Sequence, residues 1–441
     1  MNLVKLGIAI YLCLLSAQDL MAQQKMDAYM DHLLQNRKFM GSVAILHKDS
    51  IVYSKSVGYA DVARKQENND STKFRVASIS KTFTAVLVLQ AVEAGKLSLT
   101  DKLSQYFPEV KHADKITIEH LLQHRSGIYN FTDNEDRSAW ESRYHKSKES
   151  IAHIVKGPAR FDPGTDFEYS NSNYLLLGYI LERIYEKDFA AILQEKICRV
   201  LGLEHTYFTN ETEPGCNEAL AYNIQDSYVN NLNINFSNHL SSGGIASTAI
   251  EVNKFLAALF GGKLINKEHL ALMLPEEQGA YGMGIFKLSF NKPEGYEHSG
   301  RAGNYISDYW YFPGERLGIV SLANAINIDI EAINMALLQF AYGKAPKLPD
   351  FNRISGQPES EFRQLMGTYK AKGTQSSATV SSDGDVLVLQ LSGAGQDYLP
   401  FEDKGNNCFE YNNIKLQFFP EQKQMRFEQG KSKLIFKKQA G

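Results

Sequence analysis

The stretch FRVASISKTFTAVLVLQAVEAGKL, from Phe74 to Leu97, places Ser78 three residues before Lys81 at the mouth of an apolar run. Residues three apart share one face of a helix, so a hydroxyl and an amine can meet there. A serine hydroxyl is a weak nucleophile and needs a base beside it. Lysine becomes that base once burial lowers its pKa, and the run FTAVLVL predicts a helix buried on most sides. The N–H groups of the first helical turn point at the same place. The competing reading is a capping serine beside a lysine whose amine reaches solvent. The same spacing recurs at Ser289 and Lys292, in a strand-like run ending at Pro293, where the two side chains would face opposite sides.

Two further groups could work with such a pair. Tyr169-Ser170-Asn171 follows a Pro-Gly turn and opens a helix. A tyrosine relays a proton when a cation depresses its pKa, and an asparagine holds an amide by hydrogen bonds. Tyr-x-Asn also occurs at Tyr228 and Tyr411, so it is weak alone. In His298-Ser299-Gly300, the small residue and the glycine would let a substrate lie along a strand edge. His120 and His124, in EHLLQH, sit four apart on an expected helix, but Glu119 precedes the first histidine rather than following it. They read as ordinary helix-end histidines. No metal and no cofactor is expected, since no Cys/His arrangement fits zinc.

The elements that must position these residues follow from periodicity. Met26 to Arg37 is helical in spacing, and GSVAILHKDSIVYSKSVGYAD predicts two strands joined by a turn near Lys48 to Ser50. Gly95 stops the helix of the Ser78 stretch, and a long helical middle follows. From Tyr281 the runs YGMGIFKLSF, ISDYWYF and LGIVSLAN turn strand-like again, and a helix spans Asp329 to Tyr342. Strands at both ends with helices between predict an α+β fold with one antiparallel sheet built from both ends. GKAPKLPDFNRISGQPES has three prolines and no period, and reads as a linker. Beyond it, short strands at close spacing predict a small all-β, barrel-like domain. The expected divisions are a leader over 1–22, the main domain over 23–345, a linker over 346–360 and the β domain over 361–441.

Composition narrows the class. The 441 residues carry a net charge of −3 and no basic cluster, so no nucleic-acid surface is expected. Lys5, the apolar core Leu6 to Leu15 and small residues near Ala22 have the pattern of a secretory signal peptide. That core is about half of what a bilayer span requires, so export without a stable membrane anchor is expected. Leu20 in place of the usual small residue blurs the cut site. Cys198, Cys216 and Cys408 would remain, an odd number; whether Cys198 and Cys216 pair is left open.

Taken in order, the fragments FRVASISKTFTAVLVLQ, GKLSLTDKLSQYFPE, ITIEHLLQHRSGI, FDPGTDFEYSNSNYLLLGYILE, SSGGIAST and HSG resemble the serine β-lactamase and penicillin-binding-protein superfamily. Its class C branch, with D,D-peptidase, D-aminopeptidase and esterase relatives, is the most similar. The resemblance covers most of Phe39 to about Tyr342. It implies a sheet of five or more strands with flanking helices, an all-helical region, and a site between them. It implies that Ser78 is acylated, that Lys81 takes its proton, and that Tyr169 passes the proton to the leaving group and later helps activate water. Asn171 would bind a substrate amide, beside His298, Ser299 and Gly300. The N–H groups of Ser78 and Arg301 would form an oxyanion hole, where losing one donor costs about 3 kcal/mol.

One position departs from the pattern: many such proteins carry lysine where His298 stands, to bind a carboxylate. Whether His298 or Arg301 supplies that charge, or Arg301 is only a solvated surface residue, stays open at this level. Arg125 stands where relatives often have threonine, and nothing in the sequence explains it. The expected activity is an exported serine hydrolase of D-amino-acid peptides, amides or esters, cell-wall-derived ones included. A class C-like β-lactamase is the alternative. A non-catalytic binder of cell-wall fragments is the alternative of another class, against which Ser78, Lys81, Tyr169 and Asn171 are all intact. The β domain is similar to lipocalin-like barrels. The oligomeric state is open.

Overall fold

The computed structural model describes residues 21–133, 137–225, 227–230, 233–289, 293–349, 351, 363–371, 377–383, 386–391, 399–411, 414–429 and 432–439. Residues 1–20 of the expected leader, Lys292, Gly384 and most of the expected linker lie outside them. Of that linker, Pro349 accepts a hydrogen bond from His32 (2.9 Å) and Phe351 stacks on the same ring.

The two ends of the main sequence meet in one antiparallel sheet. Its strands are β1 (Phe39–His47), β2 (Ser50–Val57), β3 (Phe286–Lys287), β4 (Tyr296–Ala302), β5 (Tyr305–Phe312) and β6 (Leu317–Ile326). The order is β3-β4-β5-β6-β1-β2, with β1 and β6 paired at the centre through Val43 and Ser321. Along β1 the side chains alternate. Val43 and Ile45 face one core, with Met26, Met30, Ile333 and Leu337. Ala44 faces the other core, with Val320, Phe255 and Leu256. That period of two lets one strand bury both faces.

The helices divide accordingly. The first core is covered by α1, over residues 21–35, and by α7 (Ile330–Ala341). The second holds α2 (Ser80–Glu93), α3 (Ile118–Leu122), α4 (Asn171–Tyr185), α5 (Leu240–Gly243) and α6 (Ala249–Phe260). Helix α2 is buried from Ser80 to Leu89 without a gap. Its alternating Thr82, Thr84, Val86 and Val88 are poor helix formers, so tertiary burial sustains it. It ends where the sequence indicates. Gly95 takes φ +65°, its N–H donates to the Val92 carbonyl, and the Lys96 N–H donates to that of Ala91.

The C-terminal strands, from Gly367–Ala371 to Ser432–Lys438, close into an eight-stranded antiparallel barrel. Its interior is filled by apolar side chains, among them Tyr369, Phe401, Phe409, Phe418 and Phe436. Cys198 and Cys216 are both free. Cys198 is buried with Sγ 3.3 Å from the Thr206 carbonyl, and Cys216 is exposed. Among the described residues no helix is long and apolar enough to cross a membrane.

The chain reaches Ser78 through a buried ion pair. Arg75 and Glu218 are both fully buried and bonded at 2.5 Å. The guanidinium also donates to the Thr209 and Gly244 carbonyls and lies over the Phe236 ring. These contacts tie the segment before Ser78 to the strand Ile245–Ser247, where Arg75 pairs with Ala246. Removing one partner of such a pair leaves an uncompensated buried charge. Arg75→Met is therefore expected to lower unfolding stability by about 3–5 kcal/mol in urea denaturation; a loss under about 1 kcal/mol would refute that role for the pair.

Candidate active site

Ser78 is not the cap of helix α2. It sits in a 3-10 turn, Ala77–Ile79, with no side-chain capping bond, and the α-helix begins at Ser80. Ala77 before it takes φ +45°, a conformation costly for a residue with a Cβ. The surroundings enforce it. The Val76 N–H donates to the Ile245 carbonyl (2.9 Å), and the Val76 carbonyl accepts from Ser307 Oγ (2.8 Å). The turn leaves the Ser78 side chain half-buried while its neighbours are buried.

Lys81 is fully buried, one helical turn further in. Its Nζ lies 2.9 Å from Ser78 Oγ, 2.8 Å from Asn171 Oδ1 and 2.6 Å from the Ser242 carbonyl. Burial holds its pKa well below the ordinary lysine value. Asn171 Oδ1 and the Ser242 carbonyl can only accept, so in the neutral amine they take its two N–H groups. The nitrogen lone pair then faces the Ser78 hydroxyl, which can donate. The arrangement can therefore remove a proton from Ser78.

Tyr169 is half-buried, and its ring centroid lies 4.9 Å from Lys81 Nζ. It packs against the rings of His124 (4.3 Å) and His298 (6.3 Å). Asn171 opens helix α4 and is nearly buried. Its oxygen holds Lys81 and an Nδ2–H donates to Thr132 Oγ1 (3.1 Å), while Asn130 Oδ1 accepts the Asn171 backbone N–H (3.0 Å). In this geometry Asn171 orients the base.

The strand edge lies beside the nucleophile. A Cβ at Gly300 would stand 2.5 Å from the Val76 carbonyl and 2.8 Å from Ser78 N, so only glycine fits. This approach brings the β4 backbone against the Ser78 N–H. Ser299 is exposed, and half-buried Arg301 donates its Nε–H to the Gly303 carbonyl (3.0 Å). His298 is buried. Burial, the largest cause, holds its pKa down at about 3. It stands neutral at physiological pH, and so does not replace the lysine's charge.

The sequence reading did not find Ser242, Asn130 or Thr132. Ser242 contributes a backbone carbonyl, which leaves no side-chain signal; its stretch SSGGIAST marked only the turn. His120 and His124 are each engaged within the chain. The His120 side chain caps its own helix at Thr117, and His124 Nδ1 accepts the Ser170 N–H (3.1 Å). Among the described residues, no group of three or more His, Cys, Asp or Glu is placed to hold a metal ion.

Placing a carboxylate at 171 tests the role of Lys81. A negative charge beside Nζ favours the ammonium and raises the lysine pKa. Asn171→Asp should then move the acid limb of the pH profile for Ser78 modification upward by about 1–3 pH units and slow the reaction at neutral pH. An unmoved limb would count against Lys81 as the base.

The family described as Beta-lactamase matches residues 23–329. The curated protein flp of Staphylococcus aureus (strain N315) is 28% identical over 319 residues, 69% of this chain and 63% of its own length. The chain thus spans less than two thirds of that relative. Among solved structures, a penicillin binding protein from Bacillus halodurans is similar with a TM-score of 0.62 and 26% identity, over 69% of this chain and 98% of its own. D-amino acid amidase from Ochrobactrum anthropi SV3 shares the fold with a TM-score of 0.64 at 22% identity, over 73% of this chain and 98% of its own. The chain belongs to the Beta-lactamase family.

Proposed function

We propose that this protein is a serine hydrolase that forms an acyl-enzyme on Ser78 and acts on amides or esters of D-amino acids and on related peptides. The observation that carries this reading is the buried Lys81 amine, its pKa held well below the ordinary value by burial, 2.9 Å from Ser78 Oγ. Lys81 takes the Ser78 proton as the hydroxyl attacks the carbonyl. The Ser78 N–H and the β4 backbone beside it, with the Arg301 N–H, receive the oxyanion. Tyr169, against Lys81 Nζ, passes the proton to the leaving group and later draws one from water.

Neutral His298 favours substrates that end in an amide or ester over those with a free carboxylate, because no cation stands at that position. This ranks an amidase or esterase above a β-lactamase or carboxypeptidase. The D-amino acid amidase of the same fold fits that ranking. The leader pattern of residues 1–22 adds that the enzyme works outside the cytoplasm.

A fluorophosphonate probe followed by mass spectrometry should find one adduct, on Ser78, which Ser78→Ala abolishes. D-amino-acid anilides and short-chain esters should be turned over with kcat/KM about tenfold or more above a D-alanyl-D-alanine peptide or nitrocefin, the order of one lost charge contact. No wild-type adduct, or an equal one on Ser78→Ala, would overturn the reading. Tight muropeptide binding without turnover would replace it with the non-catalytic alternative.

A further inference from the structure

We propose that His124 is the positioning residue for Tyr169, and that His124 and His298 hold one bound water between them behind the tyrosine ring. The first half rests on the hydrolase reading, since it matters only if Tyr169 moves protons. The second half stands on geometry alone.

His124 grips Tyr169 from both sides in sequence. Its carbonyl accepts the Glu168 N–H (3.1 Å) and its Nδ1 accepts the Ser170 N–H (3.1 Å). Its ring lies 4.3 Å from the Tyr169 ring. A left-handed turn at His124 itself, φ +56°, just past helix α3, sets the ring in this place. Tyr169 is therefore fixed by its two neighbours and by its face, all through one residue.

The tautomers follow from the partners. A backbone N–H can only donate, so His124 Nδ1 carries the lone pair and Nε2 carries the proton. At His298 the order is reversed. Nδ1 lies 2.6 Å from the Ser299 carbonyl, which can only accept, so Nδ1 is protonated and Nε2 is the acceptor. Both Nε2 atoms are buried without a hydrogen-bond partner among the described residues, while the Tyr281 hydroxyl bonds that of Tyr174. The three rings converge, with Tyr281 4.7 Å from His124 and 5.9 Å from His298 between centroids.

A donor and an acceptor facing each other are what one water molecule satisfies. The water accepts from His124 Nε2–H and donates to His298 Nε2. Buried waters typically make about two to four such bonds. Left alone, each of the two groups would cost about 1–3 kcal/mol. The ring of Phe286 packs edge-on against that of His298.

Three measurements on the full-length chain test this. A high-resolution crystal structure should show one water within hydrogen-bond distance of both Nε2 atoms; none there overturns the water. Imidazole nitrogen NMR should find His124 protonated at Nε2 and His298 at Nδ1; the opposite tautomer on either ring overturns the assignment. His124→Asn keeps the carbonyl grip and an acceptor for Ser170 but loses the ring and the Nε2–H. It should lower kcat by about 100-fold, the cost of an ångström-scale misplacement, with KM unchanged. Wild-type rates in that variant would refute the positioning role. A wild type with no turnover would sink the hydrolase reading while the water and the tautomers remain decidable.

Discussion

The desolvated amine of Lys81 is the constraint on which the rest of the structure turns. A lysine in water is an ammonium and cannot take a proton. Here the side chain is wholly removed from water, and its bonds to Asn171 and Ser242 consume its two N–H groups without supplying a negative charge. A carboxylate at either place would restore the ammonium and defeat the arrangement. The helix that carries Lys81 therefore has to be enclosed on every side. That enclosure takes a sheet on one side and the helices α3 to α6 around the others, drawn from segments far apart in the chain.

Burying Lys81 makes exposing Ser78 difficult, because they stand only three residues apart. The chain resolves this with backbone strain. Ala77 turns through a left-handed conformation, so Ser78 faces the cleft while Val76, Ala77 and Ile79 remain buried. Such strain persists only where the surroundings over-determine it. The Arg75–Glu218 pair anchors the approach, Ser307 and Ile245 hold Val76, and the missing side chain of Gly300 lets β4 close over the turn. Rigidity below the site thus fixes the one residue that must remain accessible.

Much of this was legible in the sequence because it repeats with a period or is punctuated by glycine and proline. The hairpin of β1 and β2, the start of α4 at Asn171, the stop of α2 at Gly95 and the late strands all fall where spacing puts them. The sheet built from both ends followed from the order of elements. What was not legible was tertiary. Nothing local distinguishes Ser78 in a 3-10 turn from Ser78 as a helix cap, since the difference is a φ angle at Ala77 imposed by residues more than a hundred positions away. The Ser242 carbonyl has no letter of its own. The protonation state of His298 depends on its burial, which its neighbours in sequence do not reveal.

That neutral histidine also changes how the base is made. A lysine at position 298 would place a second cation near Lys81 and lower its pKa by repulsion as well as by desolvation. With His298 uncharged, burial is the cause that remains. Charge repulsion is screened by salt, whereas desolvation is not. The Lys81 amine is thus tuned by packing, and its basicity depends on how tightly α2 is enclosed by α4 and α5. Stability of that helical packing and the state of the amine beside Ser78 are then one property: whatever loosens the core around Lys81 admits water and restores the ammonium before the fold itself is lost.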